Sequence, residues 1–423
     1  MNKVYRIRME PNQEQRQALE RFAGARRYVW NWGLARTREH YAATGKHLSC
    51  FTLTAELTQF KKRPENAWMH ECYADSLNNA LRDLDAAYQR FFKAVKAKNK
   101  DVNPPQFKSK KNDRARFRMS QGVFIKNGMV RIPKIGLVRL SEDRTVLEKT
   151  KSATFRKTPL GHWYVSLVVE FDVPDVEVPY RASHVVGIDV GLIDFVKASD
   201  GFGIAAPKFY RKMQRRLRLA DKKVSRRTKG SARHQKAKLM VSKLHQKIAN
   251  QRSDFLHKLS TYLIENYDRV CIEDLSLKGL VKTKLAKSFM DAALGEFRRQ
   301  LEYKGEWARK PVVVIDRFFP SSKMCNQCKT VNKELTLQST PGKDREWVCS
   351  CGAVNSRDLN AARNILEEGM KILAVRQTDR LNAQGEDVSQ TSGSNIPEGS
   401  NPRRTEKSQP RKSIARKATQ PSG

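Results

Sequence analysis

Apolar and polar residues alternate over residues 3–9 (KVYRIRM), where Tyr5, Ile7 and Met9 oppose Arg6 and Arg8, and this period of two predicts a short strand. Pro11 then opens a helical stretch, as proline does at a first helical turn. Residues 12–100 read as several helices rich in Arg, Trp and Tyr, with Trp30 and Trp32 at helical spacing and assigned to core packing rather than base stacking. After a basic connector at 95–117, the period returns to two. Asn127-Gly128 lies between two apolar runs in VFIKNGMVRI and predicts a two-residue hairpin. TFRKTPLGHWYVSLVVEFDV predicts a second strand pair that turns around Pro159–His162. Residues 118–173 therefore form a small β-barrel-like unit that the 3–9 strand can complete, with the helices as an insertion.

A linker (173–180) separates this unit from HVVGIDVG (184–191), an apolar strand with LIDFVKAS (192–199) as its hairpin partner. Residues 207–266 predict a long basic helical pair turning near Thr228–Ser231. Leu244, Ile248, Phe255, Leu259 and Leu263 form an apolar stripe on it, which belongs to a core. A buried strand at 267–275, a helix over 289–308 and a strand at 310–316 follow. A further helix starts at Asp358 and runs to about 374, and beyond 376 a composition rich in Ser, Gln, Pro, Gly and Arg predicts disorder.

Composition adds a partner. The 423 residues carry 82 Lys+Arg against 44 Asp+Glu, a formal charge of +38, while 39% of them are hydrophobic. Such a surplus on a chain with enough apolar residues for real cores repels itself unless a polyanion is bound, and nucleic acid is the common one. No run approaches the apolar length of a membrane span, and the N-terminus lacks the apolar core of a signal peptide. Seven cysteines, four of them clustered, do not make a secreted disulfide framework. The expected location is the cytoplasm of a prokaryotic cell.

Three carboxylates stand out by position. Asp189 lies inside an apolar strand (GIDVG), Glu273 ends another (VCIED), and Asp358 opens the last helix (SRDLNAARNI). Separately, Asp358 could cap its helix and Glu273 could reach solvent, but a carboxylate on a buried strand is costly without a partner. Together, strand–Asp, hairpin, helices, strand–Glu and helix–Asp follow the order by which an RNase H-like sheet gathers three carboxylates at one edge. Such hard oxygen ligands suit Mg²⁺ or Mn²⁺ and phosphodiester hydrolysis. Asp194 lies past a turn and Asp274 alternates to the opposite face, so both are left out. Cys325 and Cys328, then Cys349 and Cys351, have the paired spacing of a structural zinc site, although C-x-C is one residue shorter than the usual second knuckle.

GIDVG, CIEDLSLKGL, FPSSKMCNQC and WVCSCGAVNSRDLNAARNI, with ARRYVWNWGLA and DLDAAYQRFF upstream, resemble the TnpB (OrfB) proteins of insertion-sequence transposons, relatives of type V CRISPR effector nucleases. The resemblance covers roughly residues 3–370. It implies an α/β multidomain protein with a wedge β-barrel (1–10 and 118–180), a helical recognition domain (11–117), and a RuvC-like nuclease domain (181–320 and 354–375). A zinc-ribbon module at 321–353 interrupts that domain, and a basic tail occupies 376–423. It implies an RNA-guided, Mg²⁺-dependent DNA endonuclease that binds one guide RNA as a monomer and cuts double-stranded DNA beside a short transposon-adjacent motif. Asp189, Glu273 and Asp358 match the family's catalytic carboxylates, and Cys325, Cys328, Cys349 and Cys351 its zinc ligands. Asn78, Ser120 and Gln121 are candidates for reading the adjacent motif, since amide side chains suit adenine edges. Arg252 and Lys258 are candidates for holding the guide–target heteroduplex by its backbone. The last motif often reads D-R-D and here is Ser356-Arg357-Asp358, which keeps the catalytic aspartate. A guided repressor without cleavage and an unguided transposase are the alternatives; the intact carboxylates argue against the first.

Overall fold

A computed structural model describes residues 1–99, 101–172, 184–275, 279, 282, 285–335 and 346–391, the stretch 376–391 by its backbone alone. The linker at 173–180, the spacer at 336–345 and the tail beyond 391 lie outside the described residues. The chain is a mixed α/β protein that divides into Met1–Gly369 and Met370–Gly423. In the second unit the described residues continue one helix.

The first strand, β1 (Asn2–Met9), pairs antiparallel along its whole length with β7 (Trp163–Glu170). β7 pairs in turn with β6 (Lys149–Lys157), and β6 with β2 (Arg116–Met119), giving the order β1-β7-β6-β2. A second sheet holds β3 (Phe124–Lys126), β4 (Met129–Ile132) and β5 (Gly136–Arg139). Asn127 (φ 49°) and Gly128 (φ 65°) make the tight β3–β4 turn, for which both residues must adopt positive φ. The two sheets meet where Met9 bridges Leu140. β1 joins the two sheets there: Glu10 donates its N–H to the Arg139 carbonyl and Ser141 its N–H to the Arg8 carbonyl.

The helices at the N-terminal end are α1 (Gln13–Thr44), α2 (Cys50–Phe60) and α3 (Ala74–Lys96), with a 3-10 turn over Pro64–Glu71. Asn12, not Pro11, caps α1: its side chain accepts from the Gln15 backbone while Gln15 reaches back to the Asn12 N–H. These helices share one core with the strands, in which Leu19, Phe22, Leu34 and Leu84 join Phe117, Phe155 and Trp163. The insertion expected at 11–117 is therefore packed into the strand unit, and β2 already begins at Arg116. Trp30 is buried and Trp32 packs on the same core, as expected.

A five-stranded sheet carries the carboxylates. Its order is β10 (Gly203–Ala205), β9 (Asp194–Ala198), β8 (Val185–Asp189), β11 (Arg269–Glu273), β12 (Val312–Ile315). β8, β11 and β12 run parallel, and β9 and β10 are antiparallel additions. The basic pair α4 (Phe209–Ser225) and α5 (Ala232–Asn266) turns where expected, with Ser231 capping α5. Val186, Ile188, Val270 and Ile272 share a core with Phe255, Leu259 and Leu263 of α5, so that end of the predicted stripe is core, while Ile248 is buried outside this cluster and Leu244 is half-buried. The helix expected over 289–308 is two helices, α6 (Ala286–Ala292) and α7 (Leu294–Trp307). Ala293 between them is left-handed (φ 54°), two residues before Gly295.

The last helix, α8 (Arg357–Thr391), passes the predicted end near 374. The stretch 376–391 holds good helix formers such as Gln, Arg, Leu, Ala and Glu, and no proline before residue 397. Averaging it with the Ser- and Pro-rich residues that follow hid this.

Candidate carboxylate and cysteine centres

Side chains on a strand alternate between faces, so Val186 and Ile188 point to the core beside α5 while Gly187 and Asp189 point the other way. On the neighbouring β11, Cys271 and Glu273 share that second face, and Cys271 pairs with Gly187. α8 lies directly on it. A Cβ at Gly187 would come 2.2 Å from the Ala362 carbonyl oxygen and 2.5 Å from the Leu366 nitrogen, and one at Gly369 would come 2.3 Å from the Cys271 sulfur. Asp358, Ala362, Leu366 and Gly369 follow one another at helical spacing and form the stripe turned to the sheet. Two glycines thus let α8 approach closely enough to bring Asp358 over the strand ends that carry Asp189 and Glu273.

The electrostatics record this meeting. The Asp189 carboxyl is pushed up to about 7, first by loss of water, then by the charges of Asp358 and Glu273, with Arg357 partly offsetting them. Glu273 is also raised, by burial first, although a hydrogen bond from the Ser321 hydroxyl (3.5 Å) works in the opposite direction. A buried Asp189 raised further by two neighbouring carboxylates is what a divalent cation relieves, so the donor set fits Mg²⁺ or Mn²⁺. Asp274 behaves differently. It pairs with Arg298 and Arg317, and the Arg298 hydrogen bond first of all holds it below the usual carboxylate range, which supports leaving it out.

Cys325, Cys328, Cys349 and Cys351 bring their sulfurs within 4.8 Å of one another, the closest convergence of potential ligands among the described residues. The first pair sits on a knuckle closed by Lys329 (φ 62°), whose N–H reaches the Cys325 carbonyl. The second sits between β13 (Glu346–Val348) and β14 (Val354–Ser356), where Gly352 (φ 85°) turns the chain and its N–H reaches the Cys349 carbonyl. The shortened C-x-C still directs both sulfurs inward, to 3.5 Å (Cys328–Cys349) and 3.9 Å (Cys325–Cys351). The Thr330 hydroxyl and N–H hold Cys328 down at about 6. Cys351, despite a hydrogen bond from the Ala353 N–H, is pushed up to about 11 by its thiol neighbours. Four sulfurs at this range, without a disulfide, fit zinc.

Buried asparagines join the two centres, and sequence reasoning missed them. Asn364 (0% exposed) donates to the carbonyls of Ser321 (2.8 Å) and Met324 (2.6 Å) and accepts from the Asn326 side chain (3.2 Å). Asn360 (4% exposed) donates to Met324 and accepts from the Asn326 backbone. Their signal was the N-x-x-x-N spacing in DLNAARNI, which places both on one face of α8.

The remaining candidates are dispersed. Asn78 is half-buried on α3 and Gln121 is exposed. Ser120 is held by its neighbour Asn79, whose oxygen accepts from the Ser120 hydroxyl (3.1 Å), and by Asp75, which accepts from its N–H. Arg252 pairs with the buried Asp291 at 3.0 Å, and exposed Lys258 pairs with Asp254 at 2.9 Å.

Family models match three stretches of the chain: a "Helix-turn-helix domain" over residues 1–46, a "Probable transposase" model over 166–284, and a "Cas12f1-like, TNB domain" over 295–365. A Streptomyces pristinaespiralis protein named "Putative RNA-guided DNA endonuclease" is 39% identical over 376 residues, 88% of this chain and 90% of its own. Escherichia coli InsQ, with the same description, is 30% identical over 389 residues, 88% of this chain and 93% of its own. In fold, the chain is similar to the protein in a Cas12f1–sgRNA–target DNA complex, with a TM-score of 0.51, 15% identity, and coverage of 83% of this chain and 82% of that one. The motifs of the sequence and its likeness to these relatives over nearly their whole length agree: the chain belongs to the TnpB (OrfB) family of transposon-encoded RNA-guided DNA endonucleases.

Proposed function

We propose that this protein is an RNA-guided, Mg²⁺-dependent endonuclease that cuts double-stranded DNA with a RuvC-type site formed by Asp189, Glu273 and Asp358. One observation carries the reading: Asp189 is buried beside two acidic side chains from remote parts of the chain, and burial first, then the charges of Asp358 and Glu273, lift it to about 7. A cluster so costly to the folded chain has a use when it holds cations. The strand order, antiparallel β10-β9-β8 followed by parallel β11 and β12, is that of an RNase H-like sheet and supports the same conclusion.

Mg²⁺ or Mn²⁺ held by these carboxylates would orient an attacking water and neutralise the leaving oxygen of a phosphodiester. The ligands would be positioned by β8 and β11, which pair in register up to Ile188 and Ile272, by α8 packed on the same face, and by Ser321 beside Glu273. Cys325, Cys328, Cys349 and Cys351 would hold zinc in a structural role, because four thiolates leave no position for water.

Partners follow from charge and kinship. The relatives are named as RNA-guided DNA endonucleases, and a net charge of +38 suits a guide RNA and its DNA target. Gln121 and Asn78, with Ser120 held beside them, are proposed to read the transposon-adjacent motif. Lys258 and Arg252 on α5 are proposed to follow the heteroduplex backbone, Arg252 after exchanging part of its pairing with Asp291. A monomer carrying one transposon-end RNA is the proposed working form. Among the described residues no helix is long and apolar enough to cross a membrane, and we place the protein in the prokaryotic cytoplasm, on the nucleoid when bound to DNA.

The test is to purify the protein expressed with its downstream DNA and to sequence the RNA bound to it. A discrete species running past the transposon end is expected. Heterogeneous RNA, with DNA joining that survives its removal, would instead favour an unguided transposase, the activity that the description of the 166–284 match suggests.

A further inference from the structure

Asn364 makes three side-chain hydrogen bonds to the segment that leads into the first cysteine knuckle. Its amide donates to Ser321 and Met324, and its oxygen accepts from Asn326, which lies between Cys325 and Cys328. Asn360 grips the same segment through Met324 and the Asn326 N–H. Asn326 and Lys329 both reach Glu367, one turn further along α8. One face of α8 thus holds the knuckle, while the face carrying Asp358 lies against the sheet. The same segment turns back to the site, because Ser321, 5% exposed, gives its carbonyl to Asn364 and its hydroxyl to Glu273.

We infer that Asn364 and Ser321 are positioning residues through which the cysteine module sets the spacing of Asp358 and Glu273. Filling the module with zinc would thereby tighten divalent-cation binding at the carboxylates. Asn364 fixes the knuckle to the helix that bears Asp358, and Ser321 fixes the same segment to Glu273. Disorder in the knuckle reaches both carboxylates through these two contacts. The inference rests on the proposed reading of the three carboxylates as a metal centre.

Binding of Mn²⁺ to the full chain, followed by electron paramagnetic resonance with Asp358→Ala as the baseline, tests it without relying on cleavage. The variants are Asn364→Leu, which keeps the branched shape and removes all three hydrogen bonds, and Ser321→Ala, which removes only the limb to Glu273. Asn364→Leu is expected to weaken Mn²⁺ binding at least fivefold while zinc stays near one per chain. Ser321→Ala is expected to weaken it two- to threefold with no change in melting temperature. Zinc-depleted protein should bind Mn²⁺ as weakly as Asn364→Leu. Wild-type Mn²⁺ affinity in Ser321→Ala and in the zinc-depleted protein would overturn the inference, even if Asn364→Leu fails to fold. If the wild-type chain binds no Mn²⁺ beyond the Asp358→Ala baseline, the metal-centre reading itself fails, and that result is visible before any positioning variant is compared.

Discussion

The two centres are built in opposite ways. The cysteine module draws its ligands from two short knuckles, each closed by local hydrogen bonds and one left-handed residue, and its sulfurs converge within 4.8 Å. The carboxylate centre draws Asp189, Glu273 and Asp358 from elements far apart in sequence, and they gather less tightly. A single loop does not set their spacing. Strand pairing, the approach of α8 over Gly187 and Gly369, and the asparagine contacts do so instead. A local site is robust to distant change, whereas an assembled one inherits every displacement of its scaffold.

That contrast is most easily broken at Gly187, which touches neither centre's ligands. Alanine there would drive its methyl into the Ala362 backbone, and a shift of α8 by about 1 Å is expected to cost roughly 100-fold in cleavage. Zinc content should stay unchanged. Parallel cleavage and metal assays check this, and a Gly187→Ala protein that cuts normally would show that the close approach does not set the site.

The converse change is Cys349→Ser. It should release zinc and, through the Asn364 contact, lower cleavage about tenfold, on the order found for residues that orient a metal centre's ligands. Guide and target affinity should change little. Zinc loss without any effect on cutting would separate the two centres.

A smaller effect reads the burial and crowding of Asp189. Asp189 stays protonated up to about 7 when folded, against an ordinary carboxylate value near 4 when unfolded. Between those values the folded chain holds the additional proton, so stability falls as pH rises through this window. Asp189→Asn, which cannot ionise, is therefore expected to be more stable than the parent at pH 8 in magnesium-free buffer, by roughly 1–3 kcal/mol. The advantage should shrink as pH falls from 7 toward 4. Urea melts across this range check the sign, and an advantage independent of pH would mean that Asp189 is not the group responsible.

Legibility follows the same division. The four cysteines were readable from spacing, because a knuckle is a local object. Asp189 and Glu273 stand out in the sequence because a carboxylate at an apolar strand is conspicuous, and Asp274, set aside by alternation, is paired with Arg298. Asn360, Asn364 and Ser321 were not readable as parts of a site, since their role exists only once α8 lies beside the knuckle. Alternation predicts the strands but not how their two sheets join at Met9 and Leu140. The break at Ala293 and the extension of α8 to Thr391 escaped for local reasons, an alanine in a left-handed turn and a composition averaged over too long a window.

The central claim is that these three carboxylates cut DNA at sites chosen by a bound RNA. Its most direct measurement is cleavage of a plasmid by protein loaded with a guide rewritten to a new sequence, wild type against Asp189→Ala, with Mg²⁺ present and then chelated. Cutting should move to the new sequence, require Mg²⁺, and fall roughly a thousandfold or more in Asp189→Ala, while RNA and target binding persist. Equal cutting by Asp189→Ala, or cutting that ignores the rewritten guide, would contradict the account.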